Sequence, residues 1–128
     1  MYKNLASIAK TIVDLSNKRD AQKQVSNTLK LVSLSDFEIS KEFIEISNQM
    51  EEVLMNLNLD EILALQAIMY LGRDKISEKK SPDEIFFSRL KMVKSLSHDP
   101  KEIEIRYMIE KPLGEYFTEG YRILGINL

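Results

Sequence analysis

The most apolar stretch of the chain lies between Ile62 and Leu71, where Gln66 is the single strongly polar side chain and Tyr70 is amphipathic. At the helical period of 100° per residue, the apolar side chains of this stretch are distributed around almost the whole circumference of the helix, whereas a surface helix keeps a broad polar face. The pattern therefore predicts a central helix, over about Asp60–Leu71, that is buried on most sides. A stretch this short does not span a bilayer, which needs about 20 residues.

Local signals indicate where this central helix begins and ends. Asn58 can cap the first free N–H groups, and Glu61 three residues later completes a capping-box pattern. Gly72 is predicted to end the helix, because glycine adopts the left-handed conformation without a Cβ clash. A buried strand is the alternative for a short apolar run. The length, the cap and the glycine favour the helix.

Residues 1–33 show helical spacing with one interruption, the polar run Ser16–Asp20. Apolar residues recur at intervals of three and four on both sides of it: Leu5, Ile8, Ile12 and Leu15 before, and Val25, Leu29 and Val32 after. The pattern fits a hairpin that turns near Asn17 or one long helix, with the break slightly favoured. A single long helix would protrude from a small domain and would require a partner, such as a second copy of the chain.

Further helices follow on both sides of the central one. We predict a connection at residues 33–35, a helix over about Ser40–Leu57, and two helices that start at Ser81-Pro82 and at Asp99-Pro100, because a capping side chain followed by proline is a helix-start signal. A last helix opens at Pro112 and ends at Gly125. The sequence therefore predicts one all-α domain, residues 1–128, a compact bundle of five or six helices around the central one.

Composition narrows the class of protein. The apolar fraction of 44% is that of a folded domain. The absence of cysteine excludes disulfides and cysteine-ligated metals and fits a reducing compartment. Lys10 and Asp14 interrupt the apolar residues that a signal peptide would need. We therefore expect a cytoplasmic protein that does not associate with a membrane.

The net charge of −2 gives no indication of nucleic-acid binding, yet the charge is unevenly spread. Residues 1–30 carry six basic and two acidic side chains, a balance of +4, and residues 36–61 carry one basic and eight acidic ones, a balance of −7. The solvated faces of two neighbouring helices explain this difference. A partner surface of one sign is the alternative.

Three segments together resemble an uncharacterised bacterial family, domain of unknown function 3775. Glu61–Asp74 (EILALQAIMYLGRD) is similar to its E-L-V-A-L-x-W-L-G-R-G pattern, and Arg106–Gly125 is similar to its Y-L-L-G-x-P-L-L-x-D-Y-L-E-E-G pattern. Ser7–Ala21 stands where the family has an apolar leading segment. Tyr70 replaces a tryptophan and Asp74 a glycine. Because the family has no known activity, the resemblance transfers no functional residue.

Few residues are candidates for chemistry. His98 is the single histidine and, with no cysteine, a nitrogen- or sulfur-ligated zinc site is not expected. No Gly-x-Ser-x-Gly elbow and no phosphate-binding glycine loop occur. Glu115 and Glu119 share one helix face and could hold a divalent ion, although such pairs are more often solvated surface. We therefore assign no catalytic residue, no metal ligand and no cofactor.

Arg73 is the remaining candidate, since it leaves the end of the buried helix. We expect its guanidinium to bond to Glu115 or Glu119 of the last helix, or to helix-end carbonyls, and so to join the two helices. Binding of a ligand by Arg73 is the alternative.

The absence of a coherent catalytic set favours a non-catalytic protein-interaction or regulatory module, with a homodimer or an unidentified protein as its partner. A nucleic-acid-associated bacterial or phage factor is the second hypothesis, although acidic residues dilute the lysines of residues 79–101. A protein that binds a metal or a small molecule through carboxylates is the third.

Overall fold

The computed structural model of the chain describes the backbone at residues 1–28 and 33–128 and the side chains at residues 1–21 and 41–128. After a short 3-10 turn at Lys3–Leu5, its helices are α1 (Ala6–Thr28), α2 (Ser33–Met55), α3 (Leu59–Asp74), α4 (Pro82–Leu96), α5 (Lys101–Ile109) and α6 (Leu113–Ile123). These helices pack into the predicted compact all-α bundle. None of the described helices has the length and apolar character that crossing a membrane requires.

Helix α3 is the centre of the bundle, as the sequence predicts. Its side chains from Ile62 to Met69 are all buried, and it packs against α4, α5 and α6. The predicted capping box is present. The Asn58 side chain accepts from the Glu61 backbone N–H at 2.8 Å, and Glu61 accepts from the Asn58 N–H at 3.1 Å.

The prediction that Gly72 ends this helix is wrong. Helix α3 continues to Asp74, and Lys75 takes the left-handed conformation with φ of 51° and ψ of 49°. Gly72 instead lies inside the crossing of α3 and α6, where a Cβ would overlap the Tyr116 carbonyl and come within 2.9 Å of the Gly120 nitrogen. The glycine is therefore needed for close approach of two backbones, not for a turn.

The favoured break near Asn17 is also wrong, because α1 is continuous through the polar run. Two of the polar residues point inward. Ser16 accepts a hydrogen bond from the Gly114 N–H at 2.9 Å, and Arg19 donates to the carbonyl oxygens of Ile109 at 2.6 Å and Lys111 at 3.1 Å. Buried polar groups need such partners, so the run connects α1 to the end of α5 and the start of α6.

The N-terminal boundary of α2 differs from the prediction. The helix already includes residues 33–35, which the sequence suggested as a connection before a start near Ser40. The side chains of residues 22–40 lie outside the described ones. The predicted protrusion of residues 1–33 as a whole therefore stays a prediction.

The later helix boundaries largely follow the sequence signals. Ser81 caps α4 by accepting from the Glu84 N–H at 3.2 Å, with Pro82 in the first turn. Helix α5 forms, but Pro100 occupies the N-cap and no side chain caps it, contrary to the expected role of Asp99. Gly125 follows α6 with φ of +82°, which confirms it as the helix terminator.

Candidate functional site: the cleft between α3, α4 and α5

An open cleft of about 470 Å³ lies between helices α3, α4 and α5. Its volume is within the range of small-ligand and side-chain pockets, about 300–1,000 Å³. The lining comes from all three helices and the loop between α4 and α5: Gln66, Tyr70, Arg73, Arg89, Met92, Val93, Leu96, Ser97, Asp99, Ile103, Glu104 and Tyr107.

Hydrogen bonds between the three helices show in which direction each helix runs along the cleft. Residues 66, 70 and 73 lie one above another on α3, because side chains three and four apart share a helix face. Gln66 bonds to Glu104 and, one turn further on both helices, Tyr70 bonds to Tyr107, so α3 and α5 run in the same direction. Helix α4 runs the opposite way, since its Arg89 is at the Asp74 end and Ser97, just after its last residue, is at the Glu104 end.

The acidic end of the cleft is centred on Glu104, which is 8% exposed. One carboxylate oxygen accepts from the Gln66 Nε2 at 2.6 Å and the other from the Ser97 Oγ at 2.7 Å. Asp99, two residues after Ser97, also lines the cleft. Gln66, the one polar side chain of the apolar run, is 2% exposed and therefore serves to hold a carboxylate.

Two tyrosines form the middle of the cleft. Their hydroxyl oxygens are 3.2 Å apart, and burial, followed by this hydrogen bond, raises the pKa of Tyr70 to about 12. The Arg73 guanidinium lies 4.5 Å from the centre of the Tyr70 ring, and the Lys111 ammonium lies 4.6 Å from that of Tyr107. Both rings thus already attract cations through their faces.

The basic end consists of two arginines that share one carboxylate. Arg73 donates from Nε to Asp74 at 2.8 Å and from Nη2 at 3.3 Å, and Arg89 donates to the second oxygen at 2.8 Å. The hydrogen bond from Arg73, together with that from Arg89, holds the pKa of Asp74 below its usual value. Two cations on one anion leave this end with a net positive charge.

The predicted bond from Arg73 to Glu115 or Glu119 is not formed. Gly72 points at α6, so Arg73, about 100° further round the helix, points toward α4 and α5 instead. Glu119 accepts from the Arg122 Nε at 2.9 Å, and this bond lowers the pKa of Glu119. Glu115 and Glu119 line a separate polar hollow beside α1. The structure therefore places Arg73 in the cleft and the two glutamates elsewhere.

The outer rim of the cleft is apolar and exposed. Leu96 is 75% exposed, Met92 50% and Ile103 46%. Among the described residues, five of the eight large apolar side chains that remain exposed lie on α4 or α5: Phe87, Met92, Leu96, Ile103 and Tyr107. Four of these five line the cleft, Phe87 being the exception, and exposed apolar side chains gathered around one concave site are typical of interaction surfaces.

The described side chains that line the cleft include neither a cluster of metal ligands nor a histidine. In the part of the chain that the structure describes, no three histidine or carboxylate side chains gather as a metal ion would need. His98 lies between Ser97 and Asp99 but does not line the cleft.

Sequence reasoning missed the residues that build the site. Glu104, Ser97 and Arg89 carry no local signal, because their partners lie on other helices. Gln66 did carry one, since a lone polar residue within a buried apolar run requires a hydrogen-bond partner.

Comparisons with known proteins give no further indication: the chain matches no family model, no curated protein and no solved structure. The resemblance to domain of unknown function 3775 therefore stays a prediction.

Proposed function

We propose that this protein is a non-catalytic protein-interaction module that binds its partner through the cleft between α3, α4 and α5. The observation that carries the proposal is the apolar rim, in which Met92, Leu96 and Ile103 are each about half exposed or more around one concave site. Isolated exposed apolar residues are ordinary. Their concentration on two neighbouring helices around a cleft is typical of a partner surface.

The shape of the site suits a helix or an extended segment of another protein. Helices α4 and α5 run in opposite directions along the sides of the cleft, and an amphipathic segment can place its apolar anchors between two such walls. Met92 adds an unbranched, adaptable side chain, which lets a rim adjust to its partner.

The polar groups of the cleft support binding rather than catalysis. The Ser97 hydroxyl donates to Glu104, and the Asp74 carboxylate is shared by two arginines. His98 is not among the lining residues, so no serine–histidine pair faces the cleft. These groups hold one another in place and leave the apolar rim as the surface that a partner would cover.

A comparison of two charged variants tests the proposal. Leu96→Glu places a charge on the rim, and Ile44→Glu places the same charge at a site on α2 that is 57% exposed and away from the cleft. We expect partners captured from a native lysate by the unmodified protein to be lost with Leu96→Glu and kept with Ile44→Glu. Equal retention by both variants would overturn the proposal, as would the absence of any enriched partner together with a monomeric mass in solution.

A second copy of the chain is one partner that the same variants can examine. Light scattering after size exclusion gives the mass in solution, and the monomer is 14.9 kDa. A dimer that Leu96→Glu dissociates and Ile44→Glu preserves would identify the partner as the chain itself. A monomer at all concentrations would direct the search to other proteins.

A further inference from the structure

Glu104 is buried, and none of the described cationic side chains pairs with it. Both of its oxygens accept from neutral donors, the Gln66 amide and the Ser97 hydroxyl, and no described lysine or arginine forms an ion pair with it. A buried carboxylate normally has a charged partner, because its loss of hydration is costly. Glu104 nevertheless lies at the floor of an open cleft, where a group from outside can reach it.

The basic side chains of α5, and Lys111 just after it, are engaged elsewhere. Lys101 donates to the carbonyl oxygens of Met55 at 2.9 Å and Leu57 at 3.0 Å, at the end of α2. Arg106 pairs with Glu51 at 3.9 Å. Lys111 lies over the Tyr107 ring. None of these three cations pairs with Glu104.

The two arginines of the cleft do not neutralise Glu104 either. Both bond to Asp74, and Arg73 is seven residues beyond Gln66 on α3, which corresponds to about 10 Å along the helix axis. Neither guanidinium forms an ion pair with Glu104. The cleft is therefore acidic at one end and basic at the other.

We propose that the acidic end receives a basic side chain, the ammonium or guanidinium of a lysine or arginine on the partner, which bonds to Glu104. A carboxylate has roughly four acceptor positions, and the two neutral donors leave positions for a charge-assisted bond, the stronger kind. The apolar stem of the side chain would lie on Val93, Leu96 and Ile103, as lysine and arginine stems commonly do on apolar surfaces. This inference rests on the proposed function and specifies the chemistry of the partner.

Hexylammonium is a probe for this side chain, with hexanol and hexanoate as probes of the same length. NMR titrations that follow the amide chemical shifts give both the affinity of each probe and its position on the protein. We expect hexylammonium to bind at least tenfold more tightly than hexanol and to shift the Gln66 side-chain amide and the backbone amides around Ser97, which hexanoate should leave unshifted. Equal affinity for hexylammonium and hexanol would overturn the inference on the unmodified protein alone.

Two variants then assign the preference to one carboxylate. Glu104→Gln, which keeps the size of the side chain, should abolish the tenfold preference. Glu119→Gln, which changes a carboxylate in the separate polar hollow, should keep it. A preference that survives in Glu104→Gln overturns the inference. The proposed function would stand in that case if Leu96→Glu still released the partner, so the two failures are distinguishable.

Discussion

Gly72 of α3 and Gly120 of α6 lie against each other at the point where the two helices cross, so that a Cβ added to Gly72 would be 2.9 Å from the backbone nitrogen of Gly120. In the opposite direction, a Cβ on Gly120 would come within 2.8 Å of the Ile68 Cγ2. The contacting atoms include backbone, which cannot rotate away. The pair therefore sets the distance between the central helix and the last one.

We expect Gly72→Ala and Gly120→Ala each to lower the free energy of unfolding by about 2 kcal/mol, since overpacking at a rigid contact costs about 3 kcal/mol and helix propensity returns about 1 kcal/mol of it. Urea denaturation followed by circular dichroism measures the change. Lys91→Ala, at an exposed position of α4, is the control and should stay within about 0.5 kcal/mol. A stabilised Gly72→Ala would show that the helices are not in close contact.

Arg19→Met should lower the free energy of unfolding by about 2–3 kcal/mol. Arg19 is 4% exposed and donates to the Ile109 and Lys111 carbonyls at the end of α5, and hydrogen bonds from charged groups contribute about 1.5–3 kcal/mol. Lys18→Met, the exposed neighbour, tests whether loss of charge alone matters. Similar destabilisation by the two substitutions would contradict the role given to Arg19.

Lys75→Gly should raise the free energy of unfolding by up to about 1 kcal/mol. Lys75 has a left-handed backbone, which costs a residue with a Cβ about 1–2 kcal/mol. Glycine avoids this cost, but the entropy that it loses on folding offsets about 0.5–1 kcal/mol of the gain. Lys75→Ala removes the same charge but keeps the Cβ, so it should give no such gain. Equal effects of glycine and alanine would attribute the change to charge instead.

The stability lost in Asp74→Asn should depend on pH. The folded pKa of Asp74 lies below its unfolded value because Arg73 and Arg89 donate to it. Its contribution is therefore fully present above the unfolded pKa, about 3.9, and is lost as the pH falls through the lower folded value.

At pH 7 we expect Asp74→Asn to lose up to about 1 kcal/mol, discounted for a partly exposed pair. The two proteins should converge in stability as the pH approaches about 2. Unfolding curves at pH 7, 5, 3 and 2 give the comparison. Asp14→Asn breaks an exposed pair with Lys10 and should change stability by less than about 0.5 kcal/mol at pH 7. A difference for Asp74→Asn that stays constant down to pH 2 would contradict this account.

The site was less predictable than the fold, and Arg73 shows why. Its position at the exit of α3 could be inferred from the sequence, but its partner could not. The direction of the Arg73 side chain depends on which face of α3 packs against α6 through Gly72. The packing of these two helices determines that face. Glu104 gives the same lesson, since its two donors are 38 and 7 residues away in the chain.

The sequence by itself determined the helical class, the buried central helix and its capping box at Asn58, because periodicity and caps depend on residues within one or two turns. Only the tertiary structure decided that Ser16 and Arg19 continue a helix, that Gly72 serves a crossing instead of a turn, and that an acidic and a basic end share one cleft. Each of those outcomes depends on partners from other helices. The sequence alone does not show whether a glycine serves in a turn or at a helix crossing, or whether a polar residue breaks a helix or bonds to another one. The tertiary contacts around each residue determine its role.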